Sequence, residues 1–104
     1  MVYILGGWQT DFAANWSRQG MEIADAFAAC VGAGLEATGL EPKEIECGHV
    51  GNFVAELFAG QGMLGGFFGL VHPDFEGMPT SRHEGACASG SLAILAATAD
   101  IDVH

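Results

Sequence analysis

The residues most suited to covalent chemistry surround Cys87, in the run Glu84-Gly-Ala-Cys-Ala-Ser-Gly-Ser-Leu-Ala-Ile94. A polar stretch, 80–84, precedes a Gly-Ala bend, and an Ala- and Leu-rich run follows it. The composition of 86–99 predicts a helix, because Ala and Leu are strong helix formers. Cys87 would lie in or beside the first helical turn, where free N–H groups and the helix dipole favour the nucleophilic thiolate.

The local pattern leaves two interpretations of Cys87 open. Small neighbours, among them Ala86, Ala88 and Ser89, leave room for a substrate and favour a nucleophile. A free cysteine also packs well as a small hydrophobic side chain, so a buried and inert Cys87 is the alternative.

A cysteine hydrolase is a less favoured interpretation of the same residues. Gly85-Ala-Cys-Ala-Ser89 approximates the G-x-S-x-G elbow of hydrolases, with Cys in place of Ser and Ser in place of the last Gly. That elbow follows a buried apolar strand, and 80–84 is too polar for such a strand.

The elements that would position Cys87 are predicted from apolar spacing. Residues 2–5 form an apolar run that predicts a buried strand. In 21–38, apolar residues recur every four positions and predict a helix. Residues 45–50 predict a second strand, which this helix would join to the first as a right-handed parallel crossover.

The second half of the chain is richer in glycine. Residues 53–70 have helical apolar spacing, interrupted by five glycines, and 71–79 is a proline-bounded loop. The polar stretch 80–84 predicts an edge or interface strand, with Arg82 paired to Glu84 or another carboxylate. Residues 100–104 would begin a further strand.

Composition limits the classes of protein to which the chain can belong. Its 104 residues form one small domain at most, and 3 basic against 13 acidic residues give a net charge of −10, which disfavours nucleic-acid binding. No apolar run approaches 20 residues and no signal peptide is visible, so no membrane span is expected.

Three cysteines without a CxxC pair indicate free thiols in a reducing compartment. Cys30, in the helix predicted over 21–38, is expected to face the hydrophobic core. Cys47 and His49 lie two apart, on one face of a predicted strand, where a metal is conceivable. A lone Cys-x-His without further ligands at fitting spacing is a weak pattern, so packing is the favoured interpretation and no metal site is predicted.

The Cys87 run resembles the nucleophile motif of thiolases, in the branch of sterol-carrier-type thiolases and acetyl-CoA acetyltransferases. The opening Val2-Tyr-Ile-Leu-Gly-Gly-Trp-Gln-Thr-Asp-Phe12 is similar to that branch's first strand and turn, and Ile45-Glu-Cys-Gly-His-Val-Gly-Asn52 resembles its second strand. The resemblance covers essentially all 104 residues. It implies an α/β, thiolase-like βαβαβα half-domain, an incomplete part of a layered αβαβα fold. Residues 1–104 would be the N-terminal part of the N-terminal domain.

The resemblance also implies an activity. Cys87 would be the catalytic nucleophile that takes an acyl group from acyl-CoA, in Claisen condensation or thiolysis within lipid metabolism. Acyl-CoA and CoA would be substrates, no bound cofactor is expected, and cofactor-binding residues are not assigned. Bacterial or archaeal cytoplasm is the expected compartment, and a peroxisome is the alternative.

Nothing in 1–104 matches the family's other catalytic groups, which are a His, a second Cys, and an Asn or His at the oxyanion hole. His72-Pro73 lacks the Gly of the family's Gly-His-Pro. The segment is therefore expected to be inactive alone and to need the remainder of the chain or a companion chain. The resemblance implies a homo-oligomer, a dimer or tetramer, with 80–84 pairing across the dimer. A non-catalytic scaffold or partner subunit is the alternative function.

Overall fold

The computed structural model describes residues 1–103 and contains an α/β arrangement of four α-helices and two strands among them. The chain order is α1 (Ile23–Thr38), β1 (Gly48–Gly51), α2 (Ala55–Ala59), α3 (Phe68–Val71), β2 (Thr80–His83) and α4 (Ser89–Val103). Short 3₁₀ helices occupy Pro42–Glu44, Leu64–Phe67 and Pro73–Phe75. The α/β class predicted from the sequence is confirmed.

The two strands form a parallel pair, in which His49 lies opposite Ser81 and Gly51 lies opposite His83. Successive side chains of a strand point to opposite faces of the sheet. Gly48 approaches Phe68, and Val50 packs against the hydrophobic core, so these residues face α1 and α3. His49 and Gly51 face α4, and the small sheet therefore has helices on both faces.

The hydrophobic core lies between α1 and the glycine-rich segment that follows β1. Buried Ala55, Leu64 and Phe67 form its centre. Phe27 of α1 packs edge-to-face on Phe67 and Phe68, with ring centroids 5.6 and 4.9 Å apart. These aromatic contacts fix α1 over one face of the sheet.

Helix α1 begins and ends where its capping residues require. The Asp25 carboxylate accepts a hydrogen bond from the Glu22 N–H at 2.9 Å, and Glu22 caps the N3 backbone in return. Gly39 ends the helix with φ of 71°, a left-handed conformation that glycine adopts without strain. The helix predicted over 21–38 is confirmed, as is the strand in 80–84.

The strand predicted at 2–5 is wrong. These residues lie outside the sheet, and Tyr3 and Ile4 are 71% and 89% exposed. An apolar run becomes a strand only when another strand accepts its hydrogen bonds, and in residues 1–103 the run 2–5 pairs with neither β1 nor β2. The predicted crossover between 2–5 and 45–50 is also wrong, since β1 pairs with β2 instead.

The helix predicted over 53–70 is broken into short pieces. Gly60 adopts φ of 71° and ends α2, and Gly65 lies so close to β2 that an added Cβ would be 3.1 Å from the Thr80 hydroxyl. The glycines thus allow turns and close packing on the sheet rather than a continuous helix. The prediction of a helix here was right only for its short parts.

The last helix begins and ends later than predicted. Helix α4 starts at Ser89 rather than Ala86 and continues to Val103, so the strand predicted at 100–104 is wrong for 100–103, and His104 lies outside the described residues. The run stays helical because Ala99, Asp100, Ile101 and Asp102 contain neither proline nor glycine to end the helix.

Within the described chain, one segment is long and apolar enough to cross a membrane by length and composition alone. It is Ala86–Val103, which contains α4, with a mean hydropathy of 1.4 and 11% of it buried. No membrane span is expected from the sequence. Helices that pack in the core of a fold pass the same test, and α4 already packs on the sheet through its buried residues Ser89 and Ala93.

Candidate functional site

Cys87 lies on the bend that leads from β2 into α4. It is exposed, and so are its neighbours Ala86 and Ala88. Ala86 has φ of 51°, a left-handed conformation that is uncommon for a residue with a side chain. The sequence analysis placed Cys87 in or beside the first helical turn, and the structure places it just before Ser89, the first residue of α4.

Buried Ser89 closes this bend with its side chain. Its hydroxyl donates to the Ala86 carbonyl oxygen at 2.7 Å and accepts from the Gly85 N–H at 3.0 Å. The Ala88 N–H donates to the Gly85 carbonyl oxygen at 2.9 Å. These bonds satisfy backbone groups on both sides of Cys87, so the thiol is presented by a turn with fixed geometry.

Two glycines let the bend approach its neighbours. A Cβ atom on Gly51 would overlap the backbone of Ser89, with the Gly90 nitrogen only 2.7 Å away. A Cβ on Gly85 would collide with the Leu92 side chain. A larger residue at Gly51 would therefore move the turn that carries Cys87, whereas one at Gly85 would first displace the Leu92 side chain.

An ion-pair network ties the end of β2 to α2. The Arg82 guanidinium pairs with Glu84 at 2.6 Å and with Glu56, and it donates to the Gly62 carbonyl oxygen at 3.0 Å. The hydrogen bond from Arg82 lowers the pKa of the Glu56 carboxyl. The prediction that Arg82 pairs with Glu84 or another carboxylate is confirmed, because Arg82 pairs with both Glu84 and Glu56.

The same network holds a strained backbone. Val54 has φ of 49°, which is an outlier for a β-branched residue, and its N–H donates to the Glu84 carboxylate at 3.0 Å. Glu84 is the residue that precedes Gly85 and the Cys87 bend. The network therefore anchors the N-terminal side of the bend to the segment that follows β1.

A second group of reactive side chains lies at the other end of α4. The Asp100 carboxylate accepts hydrogen bonds from His49 Nε2 at 2.6 Å and from the Cys47 thiol at 3.4 Å. Cys47 Sγ lies 3.9 Å from His49 Nε2. The pKa of the Cys47 thiol is raised, chiefly by burial. The hydrogen bond to Asp100 and the negative charges of Asp100 and Glu46 raise this pKa further.

The sequence pattern relates Cys47 to His49 but does not include Asp100. With a strand predicted at 100–104, Asp100 has no defined relation to β1. A helix continued through Asp100 places it on the same face as Ala93 and Ala97, at helical spacing, and all three line one groove with His49. The i, i+4, i+7 spacing was the pattern that could have revealed it.

The second ring nitrogen of His49, Nδ1, also lies within hydrogen-bond distance of polar groups. His49 Nδ1 lies 2.9 Å from His83 Nε2 and 3.0 Å from the Ser81 hydroxyl, which is in turn 2.9 Å from His83 Nε2. Both ring nitrogens of His49 are therefore engaged. The side chain of His49 is 13% exposed.

Cys30 was expected to face the core, and this prediction is wrong, since Cys30 is exposed. Ala26 is buried and Phe27 packs against the core. Cys30 lies one helical turn beyond Ala26 on the same side of α1, but the groove that it lines there is open. It remains a free thiol, as the composition predicted.

Comparison with known proteins extends these observations. No protein-family model matches the chain. A curated acetyl-CoA acetyltransferase of Methanocaldococcus jannaschii is 37% identical over 101 residues, which is 96% of this chain. A second, from Methanothermobacter thermautotrophicus, is 30% identical over 93 residues, or 89% of this chain.

These two matches support a thiolase-family segment. The chain spans about a quarter of the length of these two relatives, 24% of one and 23% of the other. Cys87 and the Asp100 group lie at opposite ends of α4. Ser89 and Asp100 are eleven positions apart, which corresponds to roughly 16 Å of helix. The two groups are thus separate sites.

Proposed function

We propose that this chain supplies the nucleophilic cysteine of a thiolase-type acyl-CoA C-acyltransferase. The observation that carries the proposal is an exposed thiol, Cys87, on a hydrogen-bonded bend at the start of α4. Two relatives that match most of the chain are named acetyl-CoA acetyltransferase, which supports the same reaction class.

In the proposed reaction, the Cys87 thiolate attacks the thioester carbonyl carbon of an acyl-CoA. A bond forms from Sγ to the acyl carbon, the bond from that carbon to the CoA sulfur breaks, and CoA leaves as a thiolate that takes up a proton. The backbone N–H of Cys87 is suited to donate to the developing oxyanion. Attack by a second acyl-CoA carbanion, or by CoA in reverse, then releases the acyl group.

The remaining catalytic groups must come from outside this segment. Among residues 1–103, no side chain makes a hydrogen bond or ion pair with the Cys87 thiol, so a base for the thiol is supplied elsewhere. The chain's three basic residues also offer little for the phosphates of CoA, since Arg82 is already paired with two carboxylates. We expect residues 1–104 alone to have no appreciable turnover.

The surrounding assembly is part of the proposal. The segment would be the N-terminal part of the N-terminal domain in a layered αβαβα fold, and helices on both faces of the sheet support that placement. Strand β2 has one neighbour, β1, within the described sheet, which leaves an edge for pairing with a second copy. The proposed enzyme is a cytoplasmic homo-oligomer without a bound cofactor.

The test is isotope exchange in the assembled enzyme, comprising this chain with its remaining sequence or companion chain. Exchange of labelled CoA into acetyl-CoA requires only the acyl-enzyme half-reaction. We expect Cys87→Ala to abolish exchange and Cys30→Ala, which also removes an exposed thiol, to leave it unchanged. Exchange that survives in Cys87→Ala would refute the proposed role. Absence of exchange in the unmodified assembly would favour the alternative, a non-catalytic thiolase-fold scaffold.

A further inference from the structure

Cys47, His49 and Asp100 bring three different metal-ligand atoms together beside α4. Sγ, Nε2 and Oδ2 all lie within 4.8 Å of one another. The first two come from the entry to β1 and the third from near the end of α4, so the group forms only when the helix packs on the sheet. It is independent of the Cys87 bend.

We propose that Cys47, His49 and Asp100 form a divalent metal site that takes Zn²⁺. Thiolate, imidazole and carboxylate are the three ligand types that zinc accepts, and a mixed set of this kind favours zinc over the harder Mg²⁺ and Ca²⁺. The site goes beyond the proposed acyl transfer, because no step of that reaction uses these residues.

The distances fit a tetrahedral ion after a small adjustment. Bonds of about 2.3 Å to sulfur and about 2.0 Å to nitrogen and oxygen put tetrahedral ligands roughly 3.3 to 3.6 Å apart. The Cys47–Asp100 and Cys47–His49 separations of 3.4 and 3.9 Å are already close to that range. The 2.6 Å hydrogen bond between His49 and Asp100 would lengthen by about 0.7 Å as the ion replaces its proton.

The site can accommodate the proton changes that zinc binding requires. Zinc binds a deprotonated Nε2, so the imidazole proton must reside on Nδ1. There it can be donated to the Ser81 hydroxyl at 3.0 Å or to His83 Nε2 at 2.9 Å. A bound histidine usually donates its second N–H to such an outer partner, and the Cys47 thiol proton would leave to solvent.

The surroundings favour a cation and leave a ligand position open. Glu44 and Glu46 line the same groove as Cys47, His49 and Asp100, within a chain of net charge −10. The groove has a volume of about 660 Å³. A fourth ligand, water or an added donor, can reach the ion from it, as in zinc sites with three protein ligands.

The test measures metal rather than activity, so its result is separate from that of the exchange assay. The assembled protein is purified under reducing, chelator-free conditions, its zinc is quantified, and Zn²⁺ is titrated against a chromogenic chelator. We expect one Zn²⁺ per chain. Cys47→Ser and Asp100→Asn should each weaken binding by more than about 100-fold, because loss of an outer partner alone costs about 10- to 100-fold.

Matched variants keep the test specific. Cys30→Ser removes an exposed thiol outside the group, and Asp102→Asn removes an exposed carboxylate from the same helix; both should bind Zn²⁺ as the unmodified protein does. Ser81→Ala, which removes an outer partner of His49, should weaken binding about 10-fold.

A spectroscopic probe covers the case in which a ligand variant fails to fold. Co²⁺ added to the unmodified protein should give a near-ultraviolet thiolate-to-metal charge-transfer band, because Cys47 is a ligand. Absence of that band, binding of less than one ion per chain, or equal affinity of Cys47→Ser and Cys30→Ser would each overturn the proposal.

Discussion

Gly51 and Ser89 approach so closely that a Cβ atom added to Gly51 would overlap the Ser89 carbonyl group. Gly51 ends β1 and Ser89 begins α4, so this contact packs the Cys87 bend directly against the sheet. The obstacle is backbone rather than a flexible side chain, and the helix would have to move to admit a methyl group.

We therefore predict that Gly51→Ala destabilises the protein by about 1–3 kcal/mol, the usual cost of overpacking. Gly32→Ala is the control, because Gly32 lies inside α1 with nothing within 4 Å of an added Cβ. Alanine there should stabilise the helix by about 0.5–1 kcal/mol. Urea unfolding measures both changes, and equal midpoints for the two variants would show that the contact is not tight.

Ser89→Ala should also destabilise the protein, by about 1–3 kcal/mol, because it leaves the Gly85 N–H without its partner. Ser89 is 5% exposed, so water cannot easily replace the hydroxyl. Ser91→Ala, at an exposed position in the same helix, should change the free energy of unfolding by less than about 0.5 kcal/mol. Equal effects of the two substitutions would mean that the hydroxyl of Ser89 does not close the bend.

The Arg82 network predicts a dependence of stability on pH. Its hydrogen bond to Glu56 lowers the pKa of that carboxyl from its ordinary 4.5, so the folded state favours the ionised form. The resulting stabilisation is present above pH 4.5 and is lost as the pH falls through the lowered value. Because Glu56 is exposed, salt should weaken the effect.

The measurement is the free energy of unfolding against pH for the unmodified protein and Glu56→Gln. The difference between them should shrink below pH 4.5. Glu36→Gln, on the exposed side of α1 and without an ion pair in the described chain, is the control and should show no such convergence. A difference that stays constant down to acid pH would contradict the role of the ionised Glu56.

The three thiols should differ in their rates of alkylation by iodoacetamide. Cys47 is half-buried with a raised pKa, and it should react slowest. Cys30 and Cys87 are both exposed, so exposure alone would give them similar rates. The proposed nucleophile predicts faster alkylation of Cys87 in the assembled enzyme, measured by peptide mass mapping. Equal rates for Cys30 and Cys87 would remove the evidence for an activated thiol.

Local patterns predicted the parts of the fold that depend on local interactions. The four-residue spacing around Phe27 and the stop at Gly39 define α1, and the Gly-Ala bend before Cys87 defines the entry to α4. Tertiary context decided the rest. Residues 2–5 pair with neither strand of the described sheet, and the glycines after β1 allow close packing instead of a helix.

Asp100 was missed because the predicted helix ended at Ala99, whereas α4 continues to Val103. Its place beside His49 depends on α4 continuing past Ala99, and the spacing from Ala93 and Ala97 indicates its face only once the helix is known to extend that far. The left-handed backbone of Ala86 was likewise not predictable, because alanine normally disfavours it and the Ser89 hydrogen bonds impose it.

The most direct test of the central claim is to trap the acyl-enzyme. The assembled enzyme is mixed with labelled acetyl-CoA, quenched in acid and digested, and the labelled peptide is identified by mass spectrometry. The account predicts one thioester-linked acetyl group on Cys87, absent from Cys87→Ala and retained in Cys30→Ala. Label on another residue of this chain or its partner, with Cys87 unmodified, would contradict it.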